Sequence, residues 1–307
     1  VAIENNIARV LLLGGGYTLT KVAQRLPAGS FVITSRNEAQ CIKWRKQGWN
    51  AFRVSVDDVD SIAAVFASYA DIDILVDSVP PLRSEDEDLD KALRGVRNIA
   101  NKLPQTKIKR LIYLSTTGVF GTRDGSWVDE LTTPAPWNSQ SLSRLESENI
   151  YAQIASQAGS RVEATALRLP AIYGADRGVA VSLRAGTYAL VGDGSQWTNR
   201  IHVEDLADII VKCINYTGSL PNVMCVNDDT PTQARDVVSF ICERESLPWP
   251  RSVTAEEVLA RGGYTMLSNQ RVRNNLLKRV LGVELRYPSY KEGCSPLPPF
   301  LNPPKSA

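Results

Sequence analysis

Two short stretches of the 307-residue chain have the residue types and spacing to hold a phosphorylated cofactor. In "LLLGGGYTLTKVAQRL" (residues 11–26) three glycines separate an apolar run from a segment with helical spacing. Gly14 can take the tight turn, Gly15 extends it, and Gly16 lets the backbone approach a pyrophosphate. Tyr17 and Thr18 then open a helix whose first N–H groups and positive dipole end face that anion. The pattern is G-x-G-x-x-L, so Leu19 stands where a third glycine would allow the closest helix–strand packing. A plain strand-to-helix turn has the same appearance. The second stretch, "ITSRN" (33–37), follows about 20 residues later. An acidic residue here would grip a ribose 2′-hydroxyl. Arg36 suits a 2′-phosphate instead, with Ser35 and Asn37 able to add hydrogen bonds, which favours NADP(H) over NAD(H). A solvated loop arginine is the plainer alternative.

Positioning these turns requires alternating strands and helices, and the chain supplies them. "ARVLLLGGG", "SFVITSRN", "AFRVSV", "IDILVDSV", "IKRLIYLSTTGVFG" and "VEATALRLPAIYG" read as strands. "TLTKVAQRL", "NEAQCIKWRKQG", "VDSIAAVFASYA", "DLDKALRGVRNIANKL" and "SLSRLESENIYAQIASQAG" read as the helices between them. The expectation is an α/β chain, a Rossmann-type doubly wound parallel sheet, with a smaller C-terminal substrate lobe. Residues 1–174 form the NADP-binding part and residues 175–307 mostly the substrate-binding lobe, with an approximate boundary and interleaved segments. The last stretch is Pro-rich.

Composition excludes several classes. Hydrophobic content of 43% and charged content of 22% are those of an ordinary globular protein. The net charge of +2, from 35 basic and 33 acidic residues, gives no nucleic-acid face. One histidine and five scattered cysteines make neither a metal site nor a disulfide framework, and suit the cytoplasm or another reducing soluble compartment. Cys225 and Cys242 sit in apolar surroundings and read as core thiols. No membrane span and no signal peptide are expected.

A series of ordered motifs then carries a family resemblance. "YLSTTGVFG", "WVDELTTPAP", "ALRLPAIYG", "NRIHVEDLAD" and "VNDDTPT" resemble successive segments of the extended short-chain dehydrogenases/reductases, over nearly the whole chain. "MLSNQRV", "YPSYKEG" and a missing Tyr-x-x-x-Lys pair resemble an atypical, epimerase/dehydratase-like subgroup that binds NAD(P). The resemblance places Thr116 at the catalytic Ser/Thr, with Thr117 as an understudy. It puts Pro170 and Ile172 near the nicotinamide, and Ser78, Val79, Pro80 and Pro81 beside the adenosine ribose. Asp57 would meet the adenine amino group, with Ser55 as a rival. Gln140 and Arg144 occupy the usual tyrosine and lysine places. Arg144 keeps a cation that could hold ribose, but it stays protonated, and Gln140 has no useful pKa. Asp77, Asp90, Tyr113 and Tyr173 are other titratable groups, and Asp77, at the ligand edge of its strand, is the best of them.

For the substrate, Trp137, Gln140, Trp197, Arg200 and His202 are the candidates, with Trp127 in a nearby loop. Sugar-nucleotide members carry an arginine four residues before the histidine. Thr198 holds that place here, and Arg200 lies only two before His202, on the same strand face. His202 also reads as a structural histidine beside Asp205. The resulting expectation is an NADP(H)-dependent oxidoreductase or epimerase/dehydratase acting on a small carbonyl, imine or sugar-like substrate, compatible with a homodimer. The alternative is a non-catalytic NADP(H)-binding sensor or assembly factor with a protein partner.

Overall fold

The computed structural model describes residues 10–82 and 88–294. The Pro-rich stretch beyond Cys294 lies outside the described residues. Seven strands form the central sheet: β1 Val10–Leu13, β2 Phe31–Ser35, β3 Asn50–Arg53, β4 Ile74–Asp77, β5 Arg110–Thr116, β6 Glu163–Leu169 and β7 Val223–Cys225. Every neighbouring pair is parallel, in the order β7-β6-β5-β4-β1-β2-β3. The order reverses between β1 and β4, so the loops leaving these two strands diverge and open a crevice at their carboxyl ends.

Period-two alternation divides the core into two layers. Val10 and Leu12 of β1 face the layer that holds Leu19 and Val22 of helix α1 (Tyr17–Ala23) and Trp44 of α2 (Glu38–Lys46). Leu11 and Leu13 face the opposite layer, with Ile62 of α3 (Val59–Ser68), Ile99 of α4 (Arg94–Lys102) and Tyr151 of α5 (Ser139–Ser156). Helix α6 (Val203–Asn215) packs against α1 and places Leu206 and Ile210 in the first layer. Residues beyond 174 therefore supply both α6 and the edge strand β7. A separate cluster, around Leu183, Leu190, Val237, Val238 and Ile241, forms a further hydrophobic core.

Two segments read as single elements are split. "VEATALRLPAIYG" breaks at Pro170, which has no N–H for the ladder. β6 ends at Leu169, and Ala171–Tyr173 leaves to pair with Arg200–His202 in a separate two-stranded sheet. "DLDKALRGVRNIANKL" forms a short helix, Leu89–Ala92, and then α4, interrupted at Leu93 (φ −89°, ψ 0°). Gly95 lets α4 lie against Val56, whose Cγ2 would be 2.4 Å from a Cβ at that position.

Candidate functional site

The turn after β1 is tied to both of its sheet neighbours. Gly14 N donates to Thr34 Oγ1 (3.1 Å) and Gly15 N to Thr34 O (2.6 Å) of β2. From the β4 side, Ser78 Oγ donates to Gly14 O (2.6 Å). Gly14 adopts φ +86°, where a side chain is strained, and a Cβ there would also lie 2.8 Å from Val79 Cγ2. At Gly15 a Cβ would lie 2.4 Å from Trp44 Cη2 and 2.8 Å from Ile33. Gly16 is different: its nearest neighbour would be Gly14 O at 4.0 Å, so it borders open space. No side chain caps α1, whereas Asn37 caps α2 by accepting from Ala39 N and Gln40 N. That use of Asn37 competes with its expected contact to a cofactor. Ser35 Oγ accepts from Asn37 N (3.1 Å), and the Arg36 side chain is exposed. Asp57 borders a crevice with Val79, Pro80 and Pro81, and its Oδ1 is buried with no partner among the described residues.

The sheet-facing side of α5 is polar, and it is fully engaged. Arg144 Nη1 donates to Leu114 O (2.9 Å) and Tyr113 Oη (3.2 Å), so its guanidinium is held against the end of β5. Glu148 accepts from Arg168 Nη2 (2.8 Å) and from Ser115 Oγ, with both ionic side chains almost wholly buried. The Arg168 guanidinium carbon also lies 4.8 Å from the Phe120 ring centre. Tyr151 Oη donates to Asp77 Oδ2 (2.7 Å), and Val79 N donates to Asp77 Oδ1 (2.9 Å). Asp77, expected as a candidate proton source, is 0% exposed with both oxygens taken, and it joins β4 to α5. Burial pushes its carboxyl up to about 6, against the opposing pull of Tyr151, the Val79 N–H and Arg144. Burial likewise raises the Tyr113 and Tyr151 hydroxyls above their ordinary range.

Thr116 ends β5 and caps a 3₁₀ turn (Thr117–Phe120), accepting from Gly118 N (3.1 Å). Thr117 is buried, and its carbonyl accepts from Gln270 Nε2 (2.9 Å). A hydroxyl that sequence reasoning missed lies alongside. Ser141 Oγ and Thr116 Oγ1 would lie 3.0 and 3.4 Å from a Cβ on Gly118. The available signal was its place next to Gln140 in the first turn of α5. Gln140 is half-buried there, with its carbonyl accepting from Ser143 Oγ (3.0 Å). Pro170 and Ile172 are half-buried at the β6 exit.

The remaining candidates are dispersed. Trp137 meets Tyr264 edge-on (5.6 Å) with the Arg123 guanidinium over its ring (4.6 Å). The Arg271 guanidinium lies 5.1 Å from the Trp127 ring and 5.0 Å from the Trp197 ring. A different cavity, of about 1240 Å³, is bordered by Tyr17, Ile172, Arg200 and His202; Thr116, Gln140 and Arg144 do not line it. His202 Nδ1 accepts from Glu204 N (3.3 Å), capping α6, and its ring lies against Tyr287, with centres 3.8 Å apart and planes tilted by 36°. Burial lowers its pKa to about 4. Asp205 is not its partner; that carboxylate accepts from Arg286 N and Tyr287 N instead (2.9 Å each).

Parallel strands in this order, with an uncapped glycine turn at the switch point, are those of a dinucleotide-binding Rossmann fold. The sequence matches the NAD-dependent epimerase/dehydratase family over residues 10–224. The chain belongs to that family, as an atypical extended short-chain dehydrogenase/reductase. A conserved protein of unknown function from Silicibacter pomeroyi is 30% identical, with 93% of this chain and 96% of that one covered and a TM-score of 0.71. UDP-glucose 4-epimerase from Thermotoga maritima, solved with UDP-glucose, shares the fold at 16% identity, 93% and 96% coverage and a TM-score of 0.76. UDP-glucuronic acid 4-epimerase from Bacillus cereus, solved with NAD, does so at 14% identity, 92% and 95% coverage and a TM-score of 0.73. A search of curated proteins found no match. Among the described residues no helix is long and apolar enough to cross a membrane.

Two expected outcomes follow from this geometry. Gly16→Val should fold normally yet lose NADPH binding, because its side chain enters open space beside α1. Gly15→Val should instead lower stability by about 1–3 kcal/mol through collision with Trp44 and Ile33. Circular dichroism melts and NADPH fluorescence on both variants read this contrast. Gly16→Val binding NADPH as the native chain does would reduce the turn to a structural feature. The second outcome concerns Asp77, whose folded pKa lies above the unfolded value of about 3.9. Between those values the folded state binds more protons, so the group's contribution to stability falls as pH rises. Asp77→Asn should therefore gain on the native chain by on the order of 1–3 kcal/mol from pH 4 to pH 7. Urea melts across that range check it, and a pH-independent difference would contradict the burial assigned to this carboxyl.

Proposed function

We propose that the chain binds NADP(H) and transfers hydride to or from a small carbonyl, imine or sugar-like substrate without the usual tyrosine–lysine proton relay. The observation that carries this reading is the glycine turn at the switch point. There Gly14 and Gly15 are packed against the protein, Gly16 borders open space and the first N–H groups of α1 have no side-chain cap. Such N–H groups suit a pyrophosphate. The orphaned Asp57 Oδ1, buried beside Val79 and Pro80, fits an adenine amino group as acceptor. The preference for NADP(H) rests on Arg36, exposed at the end of β2 with no acidic neighbour in "SRN".

When bound, the nicotinamide supplies or takes the hydride. The chain's own residues orient and hold. Thr116 Oγ1 already accepts from Gly118 N, which leaves its O–H to donate to a substrate oxygen. The Ser141 hydroxyl flanks the same glycine, and the Gln140 amide can add a hydrogen bond. Arg144, bonded to Leu114 O and Tyr113 Oη, supplies positive charge but no proton. Asp77 is sealed from solvent, so the proton comes through water rather than from that carboxyl. The same engagement of Arg144 and Asp77 favours a second reading, a non-catalytic NADP(H)-binding sensor or assembly factor.

Isothermal titration with NADPH and NADH should show a preference for NADPH. Arg36→Ala should reduce that preference by roughly 10- to 150-fold, the worth of one charge-assisted contact. Equal affinities in the native chain would overturn the NADP assignment. In single-turnover hydride transfer, Gln140→Ala should cost far less than the 100- to 10,000-fold (roughly) of a lost general acid. Thr116→Val should cost more than Gln140→Ala, because it removes a donor to developing charge. Micromolar NADPH binding with no transfer to any carbonyl or imine tested would favour the sensor reading.

A further inference from the structure

The segment Asn269–Val272, part of the "MLSNQRV" stretch, joins two regions far apart in the chain. On one side it meets the loop after β5. Asn269 N donates to Thr122 O (3.3 Å), Arg271 N to Ser126 O (2.9 Å) and Arg271 Nε to Gly125 O (2.8 Å). On the other side it meets residues 197–199. Asn269 Oδ1 accepts from Trp197 N (2.9 Å), Gln270 O accepts from Asn199 Nδ2 (2.9 Å), and Val272 N donates to Asn199 Oδ1 (2.8 Å). Gln270 lies between these ties and is 1% exposed.

The Gln270 side chain donates from Nε2 to Thr117 O (2.9 Å), while its Oε1 is buried with no partner among the described residues. A carbonyl can only accept, so the NH₂ end faces Thr117 and the acceptor end is left idle. An unpaired buried acceptor is destabilising. A methionine would fill the same place without one. What the amide supplies, and an apolar side chain does not, is the donor to Thr117 O.

That carbonyl belongs to the same peptide unit as Gly118 N, which donates to Thr116 Oγ1 (3.1 Å). The groups therefore stand in series. Gln270 donates to the peptide carbonyl, the peptide N–H donates to the Thr116 hydroxyl oxygen, and the Thr116 O–H is left to donate onward. All the donors point the same way, so each bond polarises the next. A donor at the carbonyl draws peptide electron density onto that oxygen and strengthens the N–H as a donor. The N–H in turn draws density from Oγ1 and strengthens the hydroxyl as a donor.

We propose that Gln270 is a positioning residue for Thr116, acting through the Thr117–Gly118 peptide to orient the Thr116 hydroxyl and strengthen it as a donor. This assignment rests on the reading of Thr116 as the group that holds the reacting oxygen. Its effect falls on the transfer step rather than on binding, because donor strength counts most as charge develops on that oxygen.

The chain contains two Thr–Gly steps, Thr117–Gly118 and Thr217–Gly218. Labelling with ¹³C-carbonyl threonine and ¹⁵N-glycine therefore isolates the peptide in question by NMR, with the other pair as an internal control, and needs no substrate. In Gln270→Met the Thr117 carbonyl carbon and the Gly118 amide proton should both move upfield, while the Thr217–Gly218 pair stays in place. Gln270→Leu should do the same. In single-turnover hydride transfer from NADPH to the carbonyls and imines tested above, Gln270→Met should slow the step by roughly 3- to 10-fold and leave substrate affinity unchanged. In a Thr116→Val chain it should cost nothing further, because the hydroxyl it acts through is gone. Unmoved Thr117 and Gly118 signals in folded Gln270→Met and Gln270→Leu chains would overturn the assignment. So would an equal loss of rate in the native and Thr116→Val backgrounds, the mark of a purely structural residue. A response of both signals in a chain that transfers no hydride would overturn the proposed reaction and leave the hold on Thr116 standing.

Discussion

The buried polar seam between α5 and the carboxyl ends of β4, β5 and β6 is the constraint on which the rest of the site depends. Arg144, Glu148 and Tyr151 follow one another at helical spacing, so a single face of α5 meets the sheet. Each meets a different strand: Arg144 bonds the Leu114 carbonyl of β5, Glu148 pairs with Arg168 of β6, and Tyr151 bonds Asp77 of β4. Breaking a buried ion pair such as Glu148–Arg168 on one side typically costs about 3–5 kcal/mol. α5 therefore has one register against the sheet, and that register fixes where Gln140 and Ser141 lie relative to Thr116.

This arrangement explains how the family's frame persists without its usual proton relay. The tyrosine and lysine of that relay would project from the same helix face. In this chain the face is committed to joining helix and sheet. With Asp77 sealed and Arg144 anchored, the hydroxyls of Thr116 and Ser141 flank Gly118. Such groups can donate to an oxygen but do not titrate in the neutral range. The cofactor end is built independently of this seam. Thr34 and Ser78 fasten the glycine turn to β2 and β4, so a phosphate site can persist whatever α5 carries.

Much of the fold was legible in the sequence because short apolar runs alternate with helical spacing. The glycine turn was legible because positive φ and close packing restrict the residues allowed there. Other features depend on partners distant in the chain. Asp77 resembles an active-site carboxylate until Tyr151, 74 residues away, is seen to hold it. His202 looked like the partner of Asp205, but the two serve different backbone N–H groups. Pro170 gave a local signal for a break, although nothing local says that Ala171–Tyr173 pairs with Arg200–His202. Strand β7 is three residues long and carries no periodic signature of its own. Ser141 gained significance only when the 3₁₀ turn brought Gly118 against it.

The proposed hydride transfer, with no titrating side chain on α5, is tested most directly by the pH dependence of single-turnover NADPH oxidation on the native chain, followed by absorbance. With hydroxyls orienting the substrate and water delivering the proton, the rate should vary little from about pH 6 to about pH 9. A rate that rises or falls through a single well-defined pKa in that range would show that a side chain titrates in the transfer step, and would contradict the account.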